Sequence, residues 1–279
     1  MKILVTGANG YLGSGIVSNL LNIGVDVIAT DFADTNIDPR AKVITGDIFN
    51  LDNPYEDLGA PDVLLHLAWR DGFVHNSDNH IDDLPRHYHF INKMMETGVK
   101  RVCVMGSMHE IGFYEGVIKE GTPCNPMSMY GIAKNALRQM LQIRAEQYGV
   151  IFQWLRGFYI VSNTLAGNSI FSKICRAEQE GKALFPFTSG QNQYDFLDYD
   201  VFCKQVSSAV IQHEIVGIIN ICSGYPEKLA DRVERFIREN RFQIKLDYGK
   251  FPDRPYDSKA VWGDDNKIKT IMDNKKDNR

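Results

Sequence analysis

The first residues of the chain constrain its fold more than any other segment. A short apolar run over 3–5 leads into a turn with glycines at three-residue intervals, and a helix-like run follows over 16–21. In that context the first glycine allows a tight turn, the second lets the backbone approach a pyrophosphate, and the third lets the helix pack on the strand. The free N–H groups at the start of the helix would then face phosphates. We therefore predict a dinucleotide site that includes Gly7, Asn9, Gly10, Tyr11, Leu12 and Gly13.

An acidic residue follows where such a site binds ribose. The strand predicted over 25–30 ends beside Asp31, about 20 residues beyond the turn, and Phe32 is assigned to the same site. No Lys or Arg occurs between Asp31 and Arg40. A 2′-phosphate would meet a carboxylate with no cation nearby, a repulsion of about 1 kcal/mol in water and about 4 kcal/mol at an intermediate dielectric. The sequence therefore favours NAD(H) over NADP(H), which stays possible.

Size and charge exclude several classes of function. The chain has 279 residues, of which 44% are hydrophobic, enough for one large domain with a small appended lobe. Its net charge is −4 and it contains no block of basic residues, so nucleic acid is not an expected partner. No apolar run approaches the roughly 18 residues of a membrane span. Five scattered cysteines suggest neither disulfides nor a metal site and are typical of a reducing cytoplasm.

Strand and helix patterns alternate through the first half of the chain. Continuous apolar strands indicate parallel strands buried on both faces, and the alternation predicts an α/β fold, a doubly wound parallel sheet of the Rossmann type. We expect this dinucleotide-binding domain over 1–160 and a smaller C-terminal α/β substrate-binding lobe over 161–279, interleaved with it. The predicted strands are 2–6, 25–30, 42–46, 62–67, 101–105, 151–155, 217–221 and 242–247. The predicted helices are 11–23, 82–98, 128–148, 169–180, 200–213 and 228–239, and a charged tail from 274 is expected to fray.

Two side chains on one predicted helix carry the proposed chemistry. Tyr130 and Lys134 lie four residues apart and so share a helix face. The ammonium would lower the pKa of the phenol, which could then exchange a proton with a substrate oxygen during hydride transfer. Ser107, at the end of a predicted strand, could hold the same oxygen.

These segments resemble the extended short-chain dehydrogenase/reductases of the NAD-dependent epimerase/dehydratase family, whose members act on nucleotide sugars. The resemblance covers nearly the whole chain. It implies that Ser107, Tyr130 and Lys134 form a catalytic trio and that Arg254 contacts the substrate's phosphates. It also implies that helices 82–98 and 128–148 form a two-fold homodimer. The remaining cofactor contacts that it implies are Asp47 and Ile48 beside the adenine, and Leu67 and Ala68 along the cofactor groove.

Departures from the family pattern guide the choice of reaction. Family 4,6-dehydratases have an Asp-Glu pair after the serine or threonine, whereas this chain has Met108 and His109, so dehydration is disfavoured. His109 would either exchange a proton with a sugar carbon or only bind a hydroxyl. Tyr194 and Tyr159 replace a usual Arg and a usual Asn on the substrate side. Trp69, directly after the cofactor-groove strand, would either shape the sugar pocket or pack as a loop residue.

The sequence therefore predicts an NAD(H)-dependent oxidoreductase acting on a nucleotide sugar. Reduction of a 4-keto-6-deoxy sugar is favoured, because the polar loop 188–193 and the short chain resemble bacterial 4-keto-sugar reductases. A nucleotide-sugar epimerase with tightly bound NAD is the first alternative. A protein that only senses the dinucleotide is less favoured, because a sensor does not need all three of Ser107, Tyr130 and Lys134.

Overall fold

The computed structural model describes residues 1–165, 167–252 and 257–277, which form fourteen strands and nine helices. The strands are β1 (Lys2–Thr6), β2 (Asp26–Asp31), β3 (Lys42–Thr45), β4 (Val63–His66), β5 (Arg101–Ser107), β6 (Gly116–Ile118), β7 (Ile151–Gly157), β8 (Tyr159–Val161), β9 (Leu184–Pro186), β10 (Gln193–Asp198), β11 (Gly217–Ile221), β12 (Pro226–Lys228), β13 (Lys245–Asp247) and β14 (Ala260–Gly263). The helices are α1 (Tyr11–Asn22), α2 (Pro54–Asp57), α3 (Asn79–Asp82), α4 (Leu84–Thr97), α5 (Met129–Tyr148), α6 (Ile170–Gln179), α7 (Tyr199–Ile211), α8 (Leu229–Glu239) and α9 (Asn266–Asp277).

The main layer is a seven-stranded sheet in the order β3-β2-β1-β4-β5-β7-β11, with every pair parallel. Its central strands are apolar and buried on both faces, as their continuous hydrophobic runs predict. One face packs on α1, α7 and α9, and the other packs on α4 and α5. The predicted doubly wound parallel sheet is therefore confirmed, and the carboxyl ends of its strands all lie at one edge.

A second layer is built around β10, which pairs with β8 and β14 in parallel and with β12 in antiparallel orientation. β6 joins its far side through β14. A separate apolar core forms where α6 and α8 pack together near the two-stranded β9-β13 sheet. Segments from both sides of residue 160 share each layer, since β6 belongs to the second sheet and β11 to the first.

Several element bounds differ from the sequence prediction. β5 and β7 each continue two residues further than predicted, because backbone pairing runs on to Ser107 and Gly157. The helix predicted over 82–98 is observed as α4, with Pro85 in its first turn, and the short α3 before it was not predicted. The strand predicted over 242–247 shrinks to β13. The prediction that the tail frays from residue 274 is wrong for residues up to Asp277, because α9 extends to that residue.

Helices α4 and α5 lie against each other, and the Arg144 Nε atom donates to the Tyr88 hydroxyl across them at 2.8 Å. The homodimer expected through this helix pair stays a prediction. Among the helices that the structure describes, none is long and apolar enough to cross a membrane.

Candidate active site

The glycine turn has the geometry that close approach to a dinucleotide requires. Gly7 has a φ of 68°, and a Cβ there would lie 2.6 Å from the backbone nitrogen of Ala68. A Cβ at Gly13 would lie 2.1 Å from the carbonyl oxygen of Gly7, so only glycine lets α1 pack onto the turn. Gly10 is the N-cap of α1 and has no side chain to bond the first helical N–H groups. These groups are therefore available to a phosphate, and the turn fits a pyrophosphate.

Asp31 lies at the carboxyl end of β2, beside that turn. One carboxylate oxygen accepts the backbone N–H of Asn9 at 3.0 Å and the other accepts that of Phe32 at 2.8 Å. The Asn9 side-chain oxygen in turn accepts the N–H of Asn36 at 2.7 Å. The Phe32 side chain is 73% exposed. The carboxylate is thus oriented by two backbone groups and keeps lone pairs for ribose hydroxyls.

The first cation after Asp31 is bound elsewhere. Arg40 forms a two-pronged pair with Asp38, with nitrogen–oxygen distances of 3.0 and 2.7 Å, and also donates to Asn22. Hydrogen bonds from Arg40 hold the pKa of the Asp38 carboxyl well below its usual range. Because this guanidinium is already paired, it leaves no free positive charge on its segment for a 2′-phosphate.

The residues predicted beside the adenine lie after β3. The Asp47 carboxylate accepts the N–H of Phe49 at 3.0 Å and caps a short 3-10 turn. It also pairs with Arg86 at 2.9 Å, and the Arg86 guanidinium lies 4.7 Å from the centre of the Phe49 ring. Ile48 is buried in the core. Leu67 and Ala68 follow β4, and their N–H groups donate to Thr6 of β1 at 3.2 and 3.4 Å, beside the glycine turn.

Ser107 is the last residue of β5, and a buried carboxylate fixes its backbone. Glu110, fully buried, accepts the Ser107 N–H at 2.6 Å and the indole N–H of Trp154 at 2.8 Å. The Ser107 hydroxyl accepts the N–H of His109 at 3.3 Å. Glu110 also lies 3.5 Å from the guanidinium of Arg156, which is buried with it. The turn after β5 is therefore tied into the protein core.

Tyr130 reaches Ser107 because α5 begins against this turn. A Cβ at Gly131 would lie 2.4 Å from the His109 carbonyl oxygen, so the glycine permits the contact. Ser128 caps the helix by accepting the Gly131 N–H at 3.2 Å. The Ser107 side chain lies close enough to the Tyr130 phenol to act on its pKa, which hydrogen bonding from Ser107 lowers. The structure brings the two predicted hydroxyls together at the carboxyl end of β5.

Lys134 lies one helical turn further along α5 and is buried. Its Nζ donates to the Met105 carbonyl oxygen at 2.9 Å and lies 6.0 Å from the centre of the Tyr130 ring. It lies only 3.7 Å from the centre of the Trp69 ring. We call Ser107, Tyr130 and Lys134 together the reaction cluster.

Burial controls the protonation of this cluster. It raises the pKa of Tyr130 to about 12, although the hydrogen bond with Ser107 acts in the opposite direction. It lowers the pKa of Lys134 to about 7, while the Glu110 charge acts to raise it. The pKa of the Tyr130 phenol is therefore raised in this structure rather than lowered, because burial disfavours the phenolate, and the effect expected from Lys134 stays a prediction.

Aromatic and imidazole rings surround Tyr130. The His75 ring stacks on the Tyr130 ring with centroids 5.4 Å apart, and His109 lies 4.4 Å from His75. Trp69 meets Tyr130 edge-on at 6.1 Å. Burial lowers the pKa of His109 to about 4, so its imidazole is neutral near pH 7. A neutral imidazole can accept or donate a hydrogen bond, but it cannot act as a general acid until it has taken up a proton.

The second layer contributes an aromatic wall to the same region. Tyr159 of β8 lies 6.3 Å from the His109 ring and 5.0 Å from the Tyr194 ring of β10. Tyr159 stands where the family usually has Asn, and Tyr194 stands where it usually has Arg, so both positions carry phenol rings in this chain. Arg254, the predicted phosphate contact, lies outside the described residues.

Asp195 of β10 ties the second layer together. Its carboxylate is fully buried and accepts the N–H and hydroxyl of Ser223, both at 2.7 Å. It also accepts the N–H groups of Gly224 at 3.0 Å and Gly263 at 3.1 Å. We call these four residues the Asp195 hub.

Sequence reasoning assigned no role to several buried polar groups near the site. Only their burial identifies them: the sequence shows Glu110 and Asp195 as ordinary acidic residues, and His66 as part of an apolar strand. A carboxylate inside a strand or directly after one is the signal that could have found them, since buried charges need partners. The described residues contain no group of three or more His, Cys, Asp or Glu side chains that could hold a metal ion.

Comparisons with known proteins agree with this geometry. The model of the NAD dependent epimerase/dehydratase family matches residues 3–222. A dTDP-6-deoxy-L-talose 4-dehydrogenase (NAD(+)) of Aggregatibacter actinomycetemcomitans is 43% identical over 269 residues, which are 94% of this chain and 99% of that protein.

Solved structures with a similar fold have lower sequence identity. A UDP-glucose 4-epimerase with UDP-glucose from Thermotoga maritima has a TM-score of 0.81 at 21% identity, covering 97% of this chain and 92% of its own. The dTDP-glucose 4,6-dehydratase DesIV from Streptomyces venezuelae, with NAD and TYD bound, has a TM-score of 0.81 at 19% identity over 97% and 90% of the two chains. At these identities the likeness concerns the fold alone.

Proposed function

Because this chain belongs to the NAD dependent epimerase/dehydratase family, we propose that it interconverts the 4-keto and 4-hydroxyl forms of a nucleotide-linked 6-deoxy sugar. The observation that carries the proposal is the meeting of Ser107, Tyr130 and Lys134 at the carboxyl end of β5. The 43% identical relative is named as a 4-dehydrogenase of a dTDP-6-deoxy sugar, which fits this reaction class.

The residues of the reaction cluster have distinct roles in this proposal. NAD(H), when bound, supplies or accepts the hydride at the sugar carbon. Tyr130 moves the proton at the sugar oxygen, and the Ser107 hydroxyl orients that oxygen. Lys134 holds a positive charge beside the phenol and toward the ribose. The Tyr130 phenol, whose pKa burial raises to about 12, is protonated near pH 7 and so carries the proton that reduction of a ketone requires.

The surroundings of Glu110 argue against a dehydratase. Elimination of water needs an acid and a base beside the sugar. The carboxylate of Glu110 instead faces the core, where the Ser107 N–H and the Trp154 indole occupy one of its oxygens. Met108 is buried and carries no proton to transfer. His109 is the one titratable residue of this turn that lies near the Tyr130 ring in the described structure.

A 4-epimerase is the second candidate. A relative from Bacillus subtilis (strain 168), named as an uncharacterized UDP-glucose epimerase, is 24% identical over 242 residues, 78% of this chain. An epimerase would use the same cluster twice, oxidising the sugar and then reducing it from the other face, with no net change in NAD.

One assay separates the two candidates. Purified protein is mixed with NADH and a dTDP-4-keto-6-deoxyhexose, and with NAD⁺ and the corresponding 4-hydroxy sugars, while nicotinamide absorbance is followed. Stoichiometric loss or gain of NADH supports the proposal. Inverted stereochemistry at the sugar without net absorbance change, together with NAD that co-purifies, would replace it with the epimerase.

The same assay tests the cofactor preference at Asp31. We expect NADH to be used at least tenfold more efficiently than NADPH, because a 2′-phosphate would face the Asp31 carboxylate. Asp31→Asn should narrow that ratio by raising the efficiency with NADPH. Asp34→Asn, on the same segment, is the matched control and should leave the ratio unchanged. Equal use of both cofactors by the unmodified protein would contradict the argument.

A further inference from the structure

The indole of Trp69 lies between the reaction cluster and a group of buried histidines. Lys134 Nζ is 3.7 Å from the centre of the indole, well within the range of a cation–π contact. The His87 ring stacks on the same indole, with centroids 4.5 Å apart and planes 14° apart. The indole therefore contacts both the cation and a buried imidazole.

Hydrogen bonds fix the indole in its plane. The Trp69 Nε1–H donates to His80 Nδ1 at 3.1 Å, and His80 Nε2 donates to the Val74 carbonyl oxygen at 3.0 Å. Each nitrogen of His80 thus has one partner, which defines a neutral ring with the proton on Nε2. The indole has little freedom to turn away from Lys134.

A second chain of hydrogen bonds supports the stacked imidazole. His66 Nε2 and His87 Nδ1 are 2.9 Å apart, and His66 Nδ1 is 2.8 Å from the hydroxyl of Thr6, the residue before Gly7. The support of the indole therefore begins beside the dinucleotide turn. Trp69 is linked to that turn through His87 and His66, and it contacts Lys134 of the reaction cluster directly.

The groups that face Lys134 explain why the indole matters. His66 of β4 and His87 of α4 are buried, and burial together with the nearby Lys134 charge lowers the pKa of both imidazoles, so neither carries a charge near pH 7. Glu110 acts on Lys134 from the turn after β5, and Tyr130 lies on its own helix. One carbonyl oxygen, that of Met105, accepts from the ammonium. Besides Glu110 and the Met105 carbonyl oxygen, the face of the Trp69 indole is the group of negative potential close to the ammonium.

We infer that Trp69 is a positioning residue of the reaction, whose indole face holds Lys134 in its charged form beside Tyr130. The inference rests on the role proposed above for Lys134. The indole has no proton to give the substrate, and it acts through Lys134. Its contribution is to stabilise the ammonium in a site where burial favours the neutral amine.

A fluorescence titration tests the contact without any reaction. Emission of the unmodified protein is followed from pH 5 to 10, alongside Trp69→Phe and Lys134→Met. We expect a transition near neutral pH that both variants lose, because it reports the ammonium against this indole. A transition that persists in Lys134→Met would come from another titrating group, and one that persists in Trp69→Phe would come from another tryptophan; either result overturns the contact.

The pH profile of turnover then tests the consequence. Loss of the ammonium should end turnover at alkaline pH. Trp69→Leu should therefore shift the alkaline limb of the pH profile to lower pH by about one unit. Trp69→Phe keeps an aromatic face, so its alkaline limb should lie between those of the unmodified protein and Trp69→Leu. Trp262→Leu, on β14 of the second layer, is the matched control and should leave the limb in place. An unchanged limb in a folded Trp69→Leu protein would overturn the inference.

The two measurements separate failure of this inference from failure of the proposed function. If the fluorescence transition is present but no 4-keto sugar is turned over, the contact stands and the assigned reaction fails. If turnover is seen and the transition is absent, the reaction stands and Trp69 is only a packing residue.

Discussion

The reaction cluster and the Asp195 hub both bury polar groups, but they satisfy them differently. The Asp195 carboxylate accepts four hydrogen bonds from three residues, with every distance between 2.7 and 3.1 Å. Lys134, equally removed from solvent, donates to one carbonyl oxygen and otherwise contacts the face of Trp69. The hub joins three segments of the second layer, whereas the reaction cluster leaves its charged group short of partners.

This difference separates a structural use of burial from a chemical one. Burial raises the pKa of Asp195, even though the hydrogen bonds from Ser223, Gly224 and Gly263 oppose the shift. In the reaction cluster, burial moves the pKa of Lys134 down to about 7 and that of Tyr130 up to about 12. Buried titratable groups with strongly shifted pKa values are characteristic of reaction sites, and burying them reduces stability. The predictions below test whether the two regions divide stability and activity in this way.

The largest expected effect is on turnover, at Tyr130. Tyr130→Phe removes the hydroxyl proposed to transfer the proton and should lower kcat by about 10³-fold, with little change in the free energy of unfolding. Steady-state assays with NADH and urea unfolding measure the two quantities. Tyr148→Phe, at the far end of the same helix, is the control and should retain activity. Full activity of Tyr130→Phe would remove the phenol from the mechanism.

The Asp195 hub should show the reverse pattern. Asp195→Asn places an amide N–H₂ among N–H donors and should lower the free energy of unfolding by about 3 kcal/mol, since buried donors lose their acceptor. Urea unfolding measures the change. Asp200→Asn, exposed on α7, should change stability by less than about 0.5 kcal/mol. If Asp195→Asn were as stable as the original protein, the Asp195 hub would not be the more important region for stability.

Acid should destabilise the reaction side through its buried histidines. Burial lowers the pKa of His66 from 6.5 to about 3, so the unfolded chain binds a proton below pH 6.5 that the folded chain refuses. Stability from this residue is thus present above pH 6.5 and is lost as pH falls, by about 3 kcal/mol between pH 6.5 and 4. Unfolding curves across this range should show a smaller loss in His66→Gln, whereas the exposed His213→Gln should follow the unmodified protein. Parallel curves for all three proteins would argue against a buried neutral His66.

The smallest expected effect is a gain in stability at Lys134. Lys134→Met abolishes activity but should raise the free energy of unfolding by about 1 kcal/mol at pH 7, because an apolar side chain replaces a desolvated amine. The folded pKa is lowered to about 7 from 10.5, so the original protein gains roughly 3 kcal/mol of stability as pH rises from 7 to 9.5, and the variant should be the less stable protein at pH 9.5. Urea unfolding at pH 7 and pH 9.5 measures this. A variant that is less stable at both pH values would show that the ammonium is structurally satisfied.

Much of the fold and of the site's class was predictable because it is encoded locally. The glycine turn, the apolar parallel strands and the spacing of Tyr130 and Lys134 each occupy a few consecutive residues with a regular period. The NAD-dependent enzyme class and the sheet type are confirmed. The choice between reduction and epimerisation, the homodimer and the individual site residues stay predictions.

What the sequence missed comes from contacts between distant segments. The short strands β6, β8, β12 and β14 of the second layer are only three or four residues long and carry little periodicity of their own. The raised pKa of Tyr130 depends on how deeply the assembled protein buries the phenol. A cation four residues away is visible in the sequence, but the cost of desolvation is not.

The sequence by itself determined a dinucleotide turn, a parallel sheet and two hydroxyls with a lysine near its carboxyl edge, because neighbouring residues dictate local backbone and side-chain direction. The tertiary structure alone decided that Trp69 covers Lys134 and that Asp195 meets Gly263, 68 residues further along the chain. Such contacts depend on which strands become neighbours and on what they exclude from water. Both the charge state of the reaction cluster and the satisfaction of the hub follow from that exclusion.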